Sequence, residues 1–229
     1  MKIIGLLGGM SWESTAVYYR LINEGIRASE GGLRSARCVL WSVDFAPLEE
    51  LQRAGRWDEI EAILVDAGRR LQAAGASFLV LCTNTMHRVA DPLEQALDIE
   101  LLHIADVAAL EARGRGLRRV GLLGTRFTME QRFYQERLSN HGLEVLIPDP
   151  PQRAVVHRVI YEELCRGRLE GDSRRAIEDI IHDLASRGAE GVILGCTELP
   201  MLLDLDALQI PALDTTQLHA AAAIARSLT

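Results

Sequence analysis

Short apolar runs alternate along the whole chain with longer stretches in which apolar residues recur every three or four positions. Residues 3–7, 36–43, 78–81, 101–104, 119–123, 192–194 and 210–213 read as buried strands. Residues 57–73 carry Ile60, Ile63, Leu64, Ala67 and Leu71 at helical spacing and read as an amphipathic helix. Residues 155–166, 173–187 and 216–228 read as further helices. Ser11 or Ser14 is placed to cap the helix carrying Tyr18 and Tyr19. Thr128 with Gln131 predicts a capping box. Asp44 to Arg53 reads as a loop after the second strand, and Pro148, Pro150 and Pro151 as a linker. Strands alternating with helices predict the α/β class.

An internal repeat organises these elements. Gly75-Ala-Ser-Phe-Leu-Val-Leu-Cys-Thr-Asn-Thr85 aligns without a gap on Gly188-Ala-Glu-Gly-Val-Ile-Leu-Gly-Cys-Thr-Glu198. Thr83 then falls opposite Cys196, and Cys82 opposite Gly195. Ile4-Gly-Leu-Leu-Gly8 matches Val120-Gly-Leu-Leu-Gly124 at a slightly different offset, so the halves differ by small insertions. The chain therefore reads as two related α/β lobes, residues 1–103 with 212–229 and residues 104–211. Each is expected to offer a polar strand-end loop to a shared cleft, where open α/β sheets place their ligands.

Composition removes several classes of function. A net charge of −7 argues against nucleic-acid or anionic-membrane partners. No apolar stretch approaches the length of a membrane span, and four cysteines in no CxxC spacing suggest neither a disulfide scaffold nor a zinc site. These features favour a soluble, cytoplasmic protein acting on a small molecule. Lys2 is the only lysine and precedes the first strand, which argues against pyridoxal phosphate and its lysine Schiff base. Neither cofactor nor metal is expected.

Chemistry concentrates at the strand ends. Alone, Cys196 could equally be a small buried side chain, Gly8-Gly9 a plain turn, and Arg53 a solvated surface residue. Paired loops suit a reaction at a carbon approached from two faces, and racemisation is one. A thiol there becomes a competent base if helix N-termini or positive neighbours lower its pKa. Asn84, Thr85 and Thr197 can supply oriented donors to a substrate carboxylate.

The loops Thr83-Asn84-Thr85-Met86-His87 and Gly195-Cys196-Thr197-Glu198, with Gly8-Gly9-Met10-Ser11, resemble the cofactor-independent aspartate/glutamate racemase family over nearly the whole chain. That resemblance implies two pseudo-symmetric lobes, each a mainly parallel sheet flanked by helices, an active site in the cleft between them, and a homodimer. Glu198, where glutamate racemases have His, resembles the aspartate racemase branch. The family's usual pair of cysteines is replaced by Thr83 and Cys196, as in its L-aspartate- and L-glutamate-specific subgroup. The resemblance implies Cys196 and Thr83 as catalytic residues. It implies substrate contacts from Met10, Ser11, Gln52, Arg53, Asn84, Thr85, Thr197 and Glu198, with Arg53 as a distal clamp. The family's second-lobe lysine is absent; Arg166 or Arg168 stands in the region. An alcohol is too weak an acid to rest as an alkoxide, so turnover is expected to be slow and strongly one-directional. Alternatives are a single-cysteine decarboxylase or isomerase of small dicarboxylic acids, a racemase of broader specificity, and a non-catalytic amino-acid binding protein.

Overall fold

The computed structural model describes residues 1–229. Its elements, in chain order, are β1 (Ile4–Gly8), α1 (Trp12–Glu30), β2 (Cys38–Ser42), α2 (Phe45–Arg53), α3 (Trp57–Ala73), β3 (Phe78–Leu81), α4 (Ala90–Ala96) and β4 (Glu100–Leu102). There follow α5 (Ile104–Gly114), β5 (Arg119–Gly124), α6 (Arg126–Glu130), α7 (Arg132–Asn140), β6 (Glu144–Leu146), α8 (Pro150–Arg158), α9 (Gly171–Ser186), β7 (Gly191–Gly195), α10 (Leu199–Leu202), β8 (Ala212–Asp214) and α11 (Thr215–Leu228). They form two compact units, residues 1–103 with 219–229, and residues 104–218. No helix is long and apolar enough to cross a membrane.

The first unit holds a parallel sheet in the order β2-β1-β3-β4. Its central strands β1 and β3 are buried throughout, which is why they read as continuous apolar runs rather than alternating ones. One face packs Leu7, Leu79 and Leu81 against Ile60, Leu64, Ala67 and Leu71 of α3. The other packs Ile4, Leu6, Phe78 and Val80 against Tyr18 and Ile22 of α1 and Ala220 and Ala223 of α11. Each fully buried Leu or Ile among these contributes about 1.5–3 kcal/mol.

The second unit repeats the arrangement as β6-β5-β7-β8, again all parallel. Leu123, Val192 and Leu194 pack against Val156, Ile177, Ile181 and Leu184. Val120, Leu122 and Ile193 face the alanines of α5 with Tyr134 and Leu138. The register repeats as well: Leu7 pairs with Leu81, and Leu123 with Leu194. Thr83 and Cys196 therefore occupy equivalent places two residues beyond their strand partners.

Several expectations need correction. Residues 45–53 form helix α2, not a loop: Asp44 caps it by accepting from the Ala46 N–H, and Pro47 sits in the first turn, where no N–H partner is needed. The proline-rich stretch begins a helix. Asp149 and Gln152 form a capping box, with Pro150 and Pro151 at the first helical positions. Residues 155–166 are not one regular helix; α8 gives way to a π-turn at Val159–Glu163 and a 3₁₀ turn at Leu164–Arg166. Thr128 and Gln131 make no capping box, because Thr125 caps α6 through the Thr128 N–H. The fourth strand ends at Leu102, and Ile104 already begins α5. Residues 212–218 lie with the second unit because β8 is hydrogen-bonded to β7.

Candidate active site

In the first unit, backbone and helix approach each other closely at the end of β1. A Cβ on Gly8 would lie 2.4 Å from the Thr15 side chain, and one on Gly9 (φ +94°) 2.2 Å from the Val43 carbonyl. The Gly9 N–H donates to Thr15 Oγ1 at 2.8 Å, and that hydroxyl donates to the Ser11 carbonyl at 2.9 Å. Ser11 is the cap of α1 and accepts from the Ser14 N–H. Met10 is buried in the core beside α3 rather than presented as a polar contact. The second unit builds the same corner from Thr125 and Thr128, with Gly124 and Gly195 so close that a Cβ on Gly124 would sit 2.8 Å from the Gly195 carbonyl.

The loop after β3 separates two candidate side chains. Cys82 is fully buried, its thiol donates to the Val80 carbonyl at 3.7 Å, and burial pushes its pKa far up. It belongs to the core between the sheet and α1. Thr83, one residue on, is buried but at the strand end, and its carbonyl accepts from His87 Nδ1 at 2.7 Å. Asn84 and Thr85 are buried beside it; Thr85 opens a 3₁₀ turn, Thr85–Val89, that the Asn84 side chain does not cap. Gln52 is 2% exposed on α2. Its neighbour Arg53 points elsewhere: its side chain is 68% exposed and pairs with Glu49 at 3.0 Å.

In the second unit Gly195 ends β7, and Cys196, Thr197 and Glu198 follow. The Cys196 thiol donates to Glu198 Oε2 at 3.0 Å, and the Thr197 hydroxyl donates to the same oxygen at 2.6 Å. α10 after them is a single turn with Pro200 near its start. The thiol pKa is raised, not lowered as expected: burial contributes most, then the negative charge of Glu198, then Cys165. Cys196 therefore rests as a thiol, with a carboxylate in position to accept its proton. The sequence named Glu198 as a substrate contact and missed this bond, though its two-residue spacing in a strand-end loop was visible. Arg158 pairs with buried Glu163 at 2.6 Å, and Arg168 donates to the Glu162 carbonyl at 3.1 Å. No group of three His, Cys, Asp or Glu side chains is arranged to hold a metal ion.

A family model described as Asp/Glu/hydantoin racemase matches residues 7–223. The chain belongs to that family. A candidate Asp/Glu racemase of known structure from Yersinia pestis is 49% identical over the whole of both chains, with a TM-score of 0.95. An aspartate racemase homologue from Pyrococcus horikoshii OT3 is 33% identical, again over both whole chains, with a TM-score of 0.86. The broad specificity amino-acid racemase RacX of Bacillus subtilis (strain 168) is 26% identical over 215 residues, 93% of each chain.

Behind Thr83, this racemase-family chain buries an aromatic cluster of Tyr18, His87, His103 and His219. The His87 ring lies 4.5 Å from that of His103 and 6.0 Å from that of His219. His219 Nε2 donates to the Leu102 carbonyl at 2.7 Å, so its Nδ1 accepts the Tyr18 hydroxyl proton at 2.9 Å. That tautomer is neutral, and burial pushes the His219 pKa down to about 4. An unfolded His near 6.5 binds a proton that the folded one refuses, so the contribution is complete above about pH 6.5 and is lost as pH falls towards 4. The expected loss is up to about 3 kcal/mol. Urea midpoints of the wild type and of His219→Gln between pH 7 and 4 check this. The difference between the two should shrink as the solution is acidified, and a constant difference would contradict it.

Proposed function

We propose that this chain is a cofactor-independent amino-acid racemase of broad side-chain acceptance, with Cys196 removing the α-proton of the L-enantiomer. The observation that carries the reading is the Cys196 thiol donating to Glu198 at the carboxyl end of β7. Glu198 takes the thiol proton, the thiolate takes the α-proton, and Thr83 relays a solvent proton to the carbanion. Asn84, Thr85 and backbone N–H groups stabilise the enolate-like intermediate, the term that ordinarily dominates such catalysis.

Breadth is favoured over strict acidic specificity for two reasons. Arg53, the residue suggested as a distal clamp, is held by Glu49, and Glu198 adds negative charge beside the thiol. Likeness to the broad specificity racemase of Bacillus subtilis points the same way. The test is to incubate the protein with L-aspartate, L-glutamate, L-homoserine and L-alanine without cofactor and to resolve enantiomers by chiral chromatography. D-product from at least one neutral substrate is expected. Turnover of aspartate and glutamate alone would restore the narrower reading, and carbon dioxide release from a malonate without racemisation would replace it with decarboxylation.

The one-directional turnover expected from a thiol–alcohol pair needs revision. Enantiomers have equal free energies, so kcat/KM must be the same in both directions. The asymmetry belongs instead to exchange: L-substrate should trade its α-proton with solvent faster than it inverts. Thr83→Cys should bring the inversion rate up towards the exchange rate, measured in deuterium oxide. An unchanged ratio removes Thr83 from the mechanism.

A further inference from the structure

On a helix surface, opposite charges three or four residues apart ordinarily meet. In this chain Arg132 and Arg174 each pair with the glutamate four residues on, Glu136 and Glu178, at 2.8 Å. Asp172 pairs in the same way with Arg175, three residues on. α1 carries both spacings in one run, Arg20, Glu24 and Arg27, yet neither pair forms. Their side chains instead line a groove of about 420 Å³, together with Asn23 on the helix and Leu33 and Arg34 on the segment that follows it. Arg34 also lacks an acidic partner.

The backbone holds this groove in shape. Gly31 (φ +75°) and Gly32 (φ +60°) turn the chain back at the end of α1, in a conformation that a side chain would strain. The Arg34 N–H donates to the Gly31 carbonyl at 3.3 Å. Asn23 then ties the returning segment to the helix: its Nδ2 donates to the Tyr19 carbonyl at 2.8 Å, and its Oδ1 accepts from the Ala36 N–H at 3.0 Å. A ligand would meet walls already fixed by hydrogen bonds.

We propose that this groove binds a small molecule through its di- or triphosphate group. Three guanidiniums against the single carboxylate of Glu24 leave two uncompensated positive charges in one concavity, in a chain whose net charge is −7. These charges repel one another, and a bound polyanion relieves that repulsion. A carboxylate offers two oxygens in one plane and fills a single guanidinium fork. A terminal phosphate presents three oxygens around a tetrahedron and serves several forks at once. The negative surface beyond the groove opposes a nucleic-acid strand, whereas a small polyanion meets only the local positive field. Leu33, fully exposed, gives the organic part of the ligand an apolar contact. The volume lies within the ordinary range for small-molecule sites. Arg27 stands about 24 Å along α1 from Ser11, so the groove is remote from the Gly8–Ser11 corner and does not depend on the catalytic reading.

Isothermal titration of the full chain with inorganic triphosphate tests the site. Saturable binding to one site per chain is expected, weakening as salt is added because the groove is open to solvent. Arg27→Gln and Arg34→Gln should each weaken it about tenfold, the worth of one hydrogen bond between charged groups, with unchanged far-ultraviolet circular dichroism. Arg69→Gln, at an exposed arginine of α3 outside the groove, should leave it as it was. Citrate, a tricarboxylate, should bind about tenfold more weakly or worse, because each of its carboxylates fills only one fork. No saturable binding at millimolar triphosphate overturns the proposal. So does binding that Arg27→Gln and Arg34→Gln leave intact, citrate binding as tight as triphosphate, or retention of RNA by a chain that does not take up triphosphate.

Discussion

Cys196→Ala should lower racemisation by roughly 10²- to 10⁴-fold, the range that a positioned general base supplies. The structural cost should be small by comparison. Alanine loses only a sulfur from a site packed by Leu199, Leu202 and Ile160. The Glu198 carboxylate keeps its bond from the Thr197 hydroxyl. A midpoint of urea unfolding within about 1 kcal/mol of the wild type is expected, well below the usual cost of a large core truncation. Chiral chromatography of the product, alongside that midpoint, separates lost chemistry from lost folding. Full activity in a well-folded Cys196→Ala protein would remove the thiol from the reaction.

Glu198→Gln should have the second largest effect, and it should move two observables in opposite senses. Burial is the main reason that the Cys196 pKa is raised, and the Glu198 charge is the next. Removing that charge lowers the thiol pKa, so alkylation of Cys196 by iodoacetamide should begin at lower pH than in the wild type. Peptide mapping by mass spectrometry separates this signal from exposed Cys165. Turnover should nonetheless fall, by about 10²-fold or more, because the carboxylate proposed to receive the thiol proton is gone. A thiol that becomes more reactive in an enzyme that becomes slower is hard to explain by disturbed packing. If neither quantity moves, Glu198 is a bystander.

The parts of this account that were legible in the sequence rest on periodicity and repetition. Buried parallel strands show as short apolar runs, and a gapless internal match carried the strand register with it. That match placed Thr83 against Cys196 and denied Cys82 a catalytic position, which its burial among Ile4, Tyr18 and Phe78 explains. Local exceptions were less visible. Pro47 and the Pro150-Pro151 pair look like breaks, yet each sits in a first helical turn, where proline costs nothing. The π-turn at Val159–Glu163 has no simple spacing signature. Electrostatics was the least legible. The thiol was expected to be activated by its surroundings, but a pKa depends on burial and on which charge lies within a few ångströms, and both turned out to raise it. The Glu49–Arg53 pair, by contrast, has the i,i+4 spacing of a helix surface bridge, and only the loop assignment for residues 45–53 hid it.

Proton exchange at Cα tests the central claim most directly. In deuterium oxide, without cofactor, the wild type should replace the α-proton of an L-substrate with deuterium faster than D-product accumulates, as followed by proton magnetic resonance. Deuterium that enters only together with inversion, or equally fast from the D-substrate, would contradict a site with a sulfur base for one enantiomer and an alcohol for the other.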